Sequence, residues 1–449
     1  MAADFSGGYL SSDGGVLLLR QLDRSIGLSR GLAECFTDRR DARFVEHGVA
    51  ELLAQRLYGL ALGYEDLNDH ADLRRDPLLA VAAEKADPFG ALRRPRDQGR
   101  ALAAPATLQR METAVDHDAS RYHKLGAERG ALHSYLLKCG VHTLSKTTRE
   151  VIIDFDATDA RLHGKQEGRF FHGYYGDYCY LPLLAYIGSV PVWAQLRTAD
   201  RDAADGTLEA LQAIVAAVRA RCPQARIILR GDSGFCREEL MGWCEAHGVD
   251  YILGLARNAR LLVALTPALV RARERAGLCG GHTREFAELT YRTLDSWSRA
   301  RRVVGKAEIL GDKDNPRFVV TNLPAADFPA AALYEDLYCA RGAMENAIKE
   351  HQLDLFGERL SCQGFASNEV RLLLASFAHY LIERLRAIGL HGTALAQATA
   401  GTLRTQLFKL AALVTVSVRR VHVRFASAFP RQALFAQVHR QLGAWVETA

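Results

Sequence analysis

The sequence predicts an α/β protein in which a helical region precedes a mixed sheet. Three observations support this prediction. Apolar residues recur at helical spacing through roughly the first 150 residues, β-branched and aromatic runs begin at Val151, and helical segments separate the later runs. Three successive strands followed by alternating helices and strands give a sheet with both antiparallel and parallel neighbours.

Residues 1–150 are predicted to form a helical, DNA-binding region. Helical spacing is clearest in residues 16–22 and 49–62. Pro105 is suited to the start of a further helix, which places Arg110 on an exposed face. This segment resembles the second helix of a helix-turn-helix, but an amphipathic surface helix explains it equally well.

The sheet is predicted from residues 151–255. Elements are expected in the following order: strands 151–156, 178–187 and 192–197, helix 208–221, strand 225–230, helix 237–247 and strand 251–255. Pro223 stops the first helix and Gly248 closes the second. This order is that of the ribonuclease-H-like fold.

A segment at about 256–333 interrupts that order and is predicted to be a largely β insertion. Its candidate strands are 286–294, 302–309 and 318–323. A helix at 334–355 follows, and then a strongly apolar helix that ends at Gly389. Residues 151–390 are therefore expected to form one domain, and residues 391–449 a basic C-terminal region with a helix and a strand at 414–425.

Composition is that of a soluble globular protein, with 49% apolar and 24% charged residues. No apolar run approaches the roughly 18–20 residues that a membrane span requires. The start lacks the pattern of a signal peptide. The nine cysteines are scattered without a Cys-x-x-Cys pair, which favours a reduced, cytoplasmic protein over a disulfide framework or a zinc site.

Positive charge is concentrated near the C-terminus, although the net charge is only +5. No Asp or Glu occurs between Arg384 and Arg440. Such a stretch attracts phosphates, although a solvated basic face without a partner is the alternative. Its basic residues are Arg384, Arg386, Arg404, Lys409, Arg419, Arg420, Arg424, Arg431 and Arg440.

Carboxylates stand at the ends of two predicted hydrophobic strands. Asp156 closes the first strand, Asp232 follows the fourth, and Glu345 lies in the helix after the insertion. Carboxylates are costly to bury and repel one another, so a cation at a shared sheet edge would explain them. Phosphodiester cleavage uses two such cations about 4 Å apart, and Mg²⁺ prefers oxygen ligands. Asp154 points to the same face of its strand as Asp156 and is the alternative first ligand.

The chain resembles the DDE transposases of bacterial insertion sequences, in the branch called DDE group 1. The catalytic motifs are present as Asp156-Ala157-Thr158, as Asp232-Ser233-Gly234-Phe235, and as Tyr338, Arg341 and Glu345 at the family spacing. Four further stretches match the branch: residues 10–15, 63–70, 163–168 and 352–356.

The resemblance implies a metal-dependent DNA transposase with Asp156, Asp232 and Glu345 as catalytic metal ligands for two Mg²⁺ ions. Mn²⁺ is an alternative to Mg²⁺ in this role. Tyr338 and Arg341 are expected to bind DNA near the cut. The family pattern ends on a Lys where this chain has Gln352, and Lys349 is the candidate replacement.

The expected partners are double-stranded DNA, as terminal inverted repeats and target, and a second copy of the chain. The alternatives are a catalytically inactive DNA-binding regulator and a ribonuclease-H-like nuclease without strand transfer.

Overall fold

The computed structural model describes residue 1 and residues 3–116, 123–279, 281–311, 313–418 and 420–445. The chain divides into two compact units. Unit 1 consists of Met1–Leu136, Ala160–Arg169 and Ile348–Ala449, and unit 2 of Leu137–Asp159 and Phe170–Ala347. This grouping differs from the three consecutive regions expected from the sequence, because the N-terminal and C-terminal parts of the chain share one unit.

Unit 2 is built on one mixed sheet. In the described part of the chain, the order across the sheet is β6-β7-β8-β5-β4-β1-β2-β3. The strands are β1 (Glu150–Ala157), β2 (Leu183–Ile187), β3 (Val190–Gln195), β4 (Arg226–Gly231), β5 (Asp250–Leu255), β6 (His282–Tyr291), β7 (Arg301–Leu310) and β8 (Arg317–Thr321).

The directions of the central strands bring the carboxyl ends of β1 and β4 to the same edge of the sheet. Strand β4 runs parallel to β1 and to β5, whereas β2 runs antiparallel to β1 and to β3. Because β1 and β4 are parallel neighbours, their carboxyl ends lie side by side. The residues after these ends are therefore neighbours in space, although they are far apart in sequence.

One face of the sheet forms the main core of unit 2. Ile153, Phe155 and Leu229 are fully buried there against the helices Thr207–Arg221 and Glu238–Ala246. Since side chains alternate across a strand, Asp154 and Asp156 point to the opposite face. On that face Ile228 and Ile252 pack against Leu333 and Tyr334.

The inserted segment contains a long helix that the sequence prediction missed. Residues Ala259–Cys279 are helical, and β6, β7, the short strand Lys313–Asp314 and β8 follow. The prediction of a largely β insertion was therefore wrong at its beginning. Pro267 inside the helix obscured the helical pattern, and burial of Leu261, Leu265 and Ala272 against the sheet compensates for it. The inserted strands extend the main sheet.

The predicted helix at 334–355 is present but changes its winding four times. It comprises an α-helical start (Ala330–Ala332), a π segment (Leu333–Tyr338), a 3-10 turn (Cys339–Arg341), an α segment (Gly342–Lys349) and a second π segment (Glu350–Asp354). Irregular winding of this kind is frequent at functional sites.

Unit 1 is mainly helical. Phe365–Arg384 is buried along nearly its whole length, as its apolar stripe predicted, and continues as a π turn to Gly389. The other α-helices in the described residues are Val16–Ile26, Leu28–Ala33, Val49–Leu62, His70–Leu73, Pro77–Ala82, Pro105–Glu112, Ala400–Leu403 and Gln432–Ala444, and Arg129–His142 runs from unit 1 into unit 2.

The helix Pro105–Glu112 begins at Pro105 as predicted but is not part of a helix-turn-helix. The preceding α-helix in the chain, Pro77–Ala82, ends far upstream, whereas a helix-turn-helix needs a turn of about 3–4 residues. Glu112 is fully buried and binds Arg56 and Arg371. The structure thus favours the amphipathic-helix interpretation, with Arg110 exposed.

Two predicted strands are each divided in the structure. Residues 414–425 form a hairpin of Ala412–Val416 and Val421–Phe425, and Leu10–Ser11 pairs with its first strand. Residues 178–187 are split between Asp177–Tyr180 and β2. Within the described residues, none of the helices combines the length and apolar character needed to cross a membrane.

Two of the sequence motifs meet near the start of unit 1. Asp13 is buried and accepts hydrogen bonds from Tyr64 (2.7 Å) and from Lys409 Nζ (2.6 Å). A Cβ on Gly15 would stand 2.4 Å from the Cα of Phe408, so only glycine allows this approach. The motifs at 10–15 and 63–70 therefore have a structural role in joining the two ends of the chain.

Candidate active site

The structure distinguishes the two aspartates of β1. Asp154 is 1% exposed, and its two carboxylate oxygens bind Arg230 Nε (2.5 Å) and Nη2 (2.7 Å). Asp156 stands at the carboxyl end of the strand and is partly exposed. Both oxygens of Asp154 are therefore engaged by one buried guanidinium, and Asp156 is the more accessible of the two carboxylates.

Asp232 follows β4 at the adjacent strand end. Its Oδ1 accepts a hydrogen bond of 2.8 Å from the backbone N–H of Gly234 and so caps the short turn Ser233–Phe235. The Asp232 side chain is therefore oriented by a hydrogen bond within its own turn. This local bond gives the Asp-Ser-Gly-Phe motif its structural basis.

Arg341 connects the strand to the helix that carries Glu345. Its Nη2 lies 3.0 Å from Asp156 Oδ2, and its Nη1 donates to Glu345 Oε1 at 2.7 Å. Arg341 and Glu345 are four residues apart, which places them on one helix face. The Glu345 side chain is half exposed.

The three acids interact with one another electrostatically. Burial raises the pKa of Asp156 to about 6; Arg341 opposes this shift, whereas Asp232 and Glu345 add to it. Asp232 and Glu345 also contribute to the raised pKa of Arg341, together with Asp156 and against the effect of burial. A cluster of negative charge held at a polar sheet edge suits a hard, oxygen-preferring cation.

A second group of possible metal ligands lies in unit 1, but it forms ion pairs within the protein. Glu350, His379 and Glu383 lie close enough together to hold an ion. Arg386 binds both carboxylates, with its Nη1 2.9 Å from Glu350 Oε2. Because the guanidinium pairs with both acids, the group forms a largely buried ion-pair network.

Tyr338 packs directly against the turn that carries Asp232. A Cβ placed on Gly254 would stand 2.7 Å from the Tyr338 hydroxyl and 2.8 Å from the Ser233 nitrogen. Burial raises the pKa of Tyr338, and Asp232 adds to this effect. Sequence reasoning missed Gly254, which β5 delivers to this contact; its position near the end of a strand was the available signal.

A cleft of about 630 Å³ opens beside Asp232. Arg257 and Arg317 line it together with Tyr334 and Tyr338. Both arginines are exposed, and among the described residues neither has an ion-pair partner. Sequence reasoning missed them because they lie at the start of the insertion and at the start of β8, outside the family motifs.

The other three predicted residues, Lys349, Gln352 and Arg110, belong to unit 1. Lys349 is exposed one helical turn after Glu345, and Gln352 lies in the π segment that follows. Arg110 is exposed in unit 1. Within the described residues, neither Lys349 nor Arg110 forms an ion pair.

The basic C-terminal stretch separates into two groups. Four residues are engaged: Arg386 binds Glu350 and Glu383, Arg404 binds backbone carbonyls, Lys409 binds Asp13, and Arg384 lies over the Trp445 ring. Arg419 lies outside the described residues. No side-chain partner in the described chain contacts the remaining four, which are Arg420, Arg424, Arg431 and Arg440.

Comparison with known proteins identifies the family. The family profile described as "Transposase DDE domain group 1" matches residues 1–446. No curated protein matches the chain. Among solved structures, it is similar to "Cryo-EM structure of piggyBac transposase synaptic complex with hairpin DNA", with a TM-score of 0.41, 11% identity, and coverage of 88% of this chain and 79% of that chain. Since the profile spans nearly the whole sequence, this chain belongs to the transposases with a DDE domain of group 1.

Proposed function

We propose that this transposase cuts DNA at the terminal inverted repeats of its element and joins the freed 3′-OH ends to target DNA. The observation that carries this proposal is the arrangement around Arg341, which contacts Asp156 and Glu345 while Asp232 acts on the same group electrostatically. An interaction of residues from two strands and a helix with one arginine supports a shared catalytic site.

The catalytic core is proposed to be ribonuclease-H-like. Support comes from the strand order β3-β2-β1-β4-β5 and from the directions of these strands. In such a sheet the acids after β1 and β4 share one edge. The inserted helix and strands then separate this core from the helix that supplies the third acid.

The donor set fits two Mg²⁺ ions, or Mn²⁺ in their place. Asp156, Asp232 and Glu345 would hold them, since three carboxylates with waters suffice for this ion. When bound, the ions lower the pKa of the attacking hydroxyl and stabilise the leaving oxygen. Release of Asp156 and Glu345 from Arg341 would free that guanidinium for a phosphate of the DNA.

The remaining side chains bind and orient the DNA strand. Arg341 offers a planar fork that matches a phosphate, and Tyr338 supplies a hydroxyl beside Asp232. Lys349 would contact the backbone one turn beyond Glu345. Arg257 and Arg317 extend the positive surface along the cleft, which gives the strand a path past Asp232.

Further DNA contacts are proposed on unit 1, through Arg110 and the unpaired arginines of the C-terminal stretch. On the hairpin, His422 and Arg424 point to one exposed face, and Arg420 lies in the turn. Two ends of an element require two active sites, so a homodimer on DNA is expected.

Incubation of the protein with Mg²⁺ and linear DNA carrying both element ends tests this function. Cleavage followed by joining supports it. Asp156→Asn, Asp232→Asn and Glu345→Gln should each abolish both steps, and the exposed Glu209→Gln should not. Binding without cleavage would indicate the regulator, and cleavage without joining would indicate the nuclease.

A further inference from the structure

The Asp154–Arg230 pair has a third connection, to the helix of Glu345. Arg230 and Asp154 are directly opposite each other on the parallel strands β4 and β1. Besides its two bonds to Asp154, Arg230 donates through Nη1 to the backbone carbonyl of Leu337. One buried guanidinium therefore joins both central strands to the helix.

The accepting carbonyl lies where the helix changes its winding. The N–H of Cys339 donates to the carbonyl of Tyr334, five residues back, which is the π pattern. The N–H of Gly342 donates instead to Cys339 and Ala340, as in a tight turn. Leu337 lies at this junction, directly before Tyr338 and one turn before Arg341.

The two aspartates of β1 therefore act on the same helix through two arginines. Asp154 acts through Arg230 on the backbone at Leu337, and Asp156 binds the side chain of Arg341. The first contact is buried and made of protein groups alone. The second lies in the catalytic cluster, where a phosphate or a cation competes for it. The first can therefore hold the junction at Leu337 when the second is released, in addition to the packing of Leu333 and Tyr334 against the sheet.

Stability alone is a weak reason for such a pair. Burying two charges costs several kcal/mol per ion, and apolar residues of similar volume often stabilise a fold as well or better. The side chains of Asp154 and Arg230 are 2% and 6% exposed. A buried pair that also fixes a helix junction has a specific geometric consequence that an apolar pair would not supply.

We propose that Asp154 and Arg230 are positioning residues that fix the winding junction at Leu337 and thereby align Tyr338, Arg341 and Glu345 with Asp156 and Asp232. This inference rests on the proposed function for its catalytic consequence. The structural part, the anchoring of residues 333–341, stands independently of catalysis.

Two variants test the proposal in the full-length protein. Arg230→Lys keeps the charge but removes the fork that reaches Leu337. In Asp154→Leu/Arg230→Met the pair is replaced by apolar side chains of similar size, so this double variant should fold even where a single change leaves a buried charge. For both variants we expect the cleavage of element-end DNA to slow about ten- to hundredfold, which is the usual effect of losing a contact that supports a metal site. The affinity for DNA should remain unchanged.

A matched control lies in the same unit. Arg301 is 5% exposed and forms a similar fork with Glu238 and Glu245, and it makes no ion pair with Asp156, Asp232 or Glu345. Arg301→Lys should lower thermal stability about as much as Arg230→Lys without slowing cleavage per folded molecule. If it slows cleavage equally, loss of stability explains both effects and the proposal is wrong.

Amide hydrogen exchange separates this inference from the proposed function. In the Arg230→Lys and double variants, exchange should accelerate in residues 333–341 relative to Glu238–Ala246. Unchanged exchange there, or wild-type cleavage by the folded double variant, overturns the inference. Failure of the wild-type protein to cleave would instead overturn the proposed function, and the exchange result would still decide whether the anchor exists.

Discussion

Gly254 and Tyr338 approach so closely that no larger side chain fits at position 254. A Cβ there would stand 2.7 Å from the Tyr338 hydroxyl, 2.8 Å from the Ser233 nitrogen and 3.0 Å from the Asp232 carbonyl carbon. Two of these three atoms belong to backbone, which cannot move aside as a flexible side chain can. The absence of a side chain on β5 thus lets the helix and the Asp232 turn meet.

Gly254→Ala should therefore impair catalysis more than folding. The added methyl group displaces Tyr338 or the Asp232 turn, and a displacement of about 1 Å in an active site costs on the order of a hundredfold in rate. Single-turnover cleavage of element-end DNA measures the effect. Gly277→Ala, where a Cβ meets no atom within 4 Å, is the control and should cut at the wild-type rate. Equal rates for both variants would contradict this prediction.

In the metal-free protein, the positive charge of Arg341 should reduce the repulsion between the carboxylates of Asp156, Asp232 and Glu345 and so stabilise the fold. Removing the guanidinium in Arg341→Gln leaves Asp156, Asp232 and Glu345 without their compensating charge, which we expect to cost about 1–3 kcal/mol. Mg²⁺ should restore part of this loss. The rise in Tm on adding Mg²⁺ should therefore be larger for Arg341→Gln than for the wild type. Arg226→Gln, which breaks a pair with Asp250 at the other end of β4, should not change the Mg²⁺ effect. If the Tm of Arg341→Gln does not change on adding Mg²⁺, the three acids do not form a metal site.

The unpaired hairpin arginines should contribute to DNA binding through counterion release. Arg420→Ala/Arg424→Ala should reduce the slope of log K against log salt by about 2, with little dependence on DNA sequence. Arg43→Ala/Arg96→Ala removes the same charge, but these arginines are already paired with Asp41 and Asp97. The control should change the slope less; equal slopes in the two double variants would exclude a specific role for the hairpin.

His70 should make unit 1 less stable in mild acid. Its Nδ1 lies 3.0 Å from the Gln55 side-chain nitrogen, whose orientation is fixed because Gln55 Oε1 accepts from the Ala103 N–H. Nδ1 is therefore an acceptor, and burial lowers the pKa of His70 to about 3. Between this value and about 6.5 the unfolded chain binds a proton that the folded protein does not, so stability falls by about 1.4 kcal/mol per pH unit on acidification.

Denaturant unfolding between pH 5 and 6 measures this contribution. His70→Asn retains an acceptor for Gln55 but cannot titrate, so its stability should depend less steeply on pH by that amount. His422→Asn, on an exposed strand, is the control for the loss of a histidine. A slope in His70→Asn as steep as in the wild type would show that His70 is protonated in the folded protein.

The elements best predicted from sequence are those whose pattern is local. The helix at Val49–Leu62 and strands β1, β4 and β5 were expected within one or two residues, because apolar periodicity and flanking Gly or Pro residues mark them. The helix Ala259–Cys279 was missed because Pro267 lies within it, and its stability depends on burial against strands that follow later in the chain.

The sequence by itself determined the chemistry that this protein has available: the family motifs, the three acids, the basic C-terminal stretch and the order of the core strands. The tertiary structure decided which groups are free to act. It paired Asp154 with Arg230, 76 residues away, and left Asp156 at the site edge. It also engaged Arg386, Arg404 and Lys409 inside unit 1 while leaving Arg420 and Arg424 unpaired. The physical reason is that periodicity depends on neighbours along the chain, whereas the charge state and availability of a side chain depend on partners that only folding brings within a few ångströms.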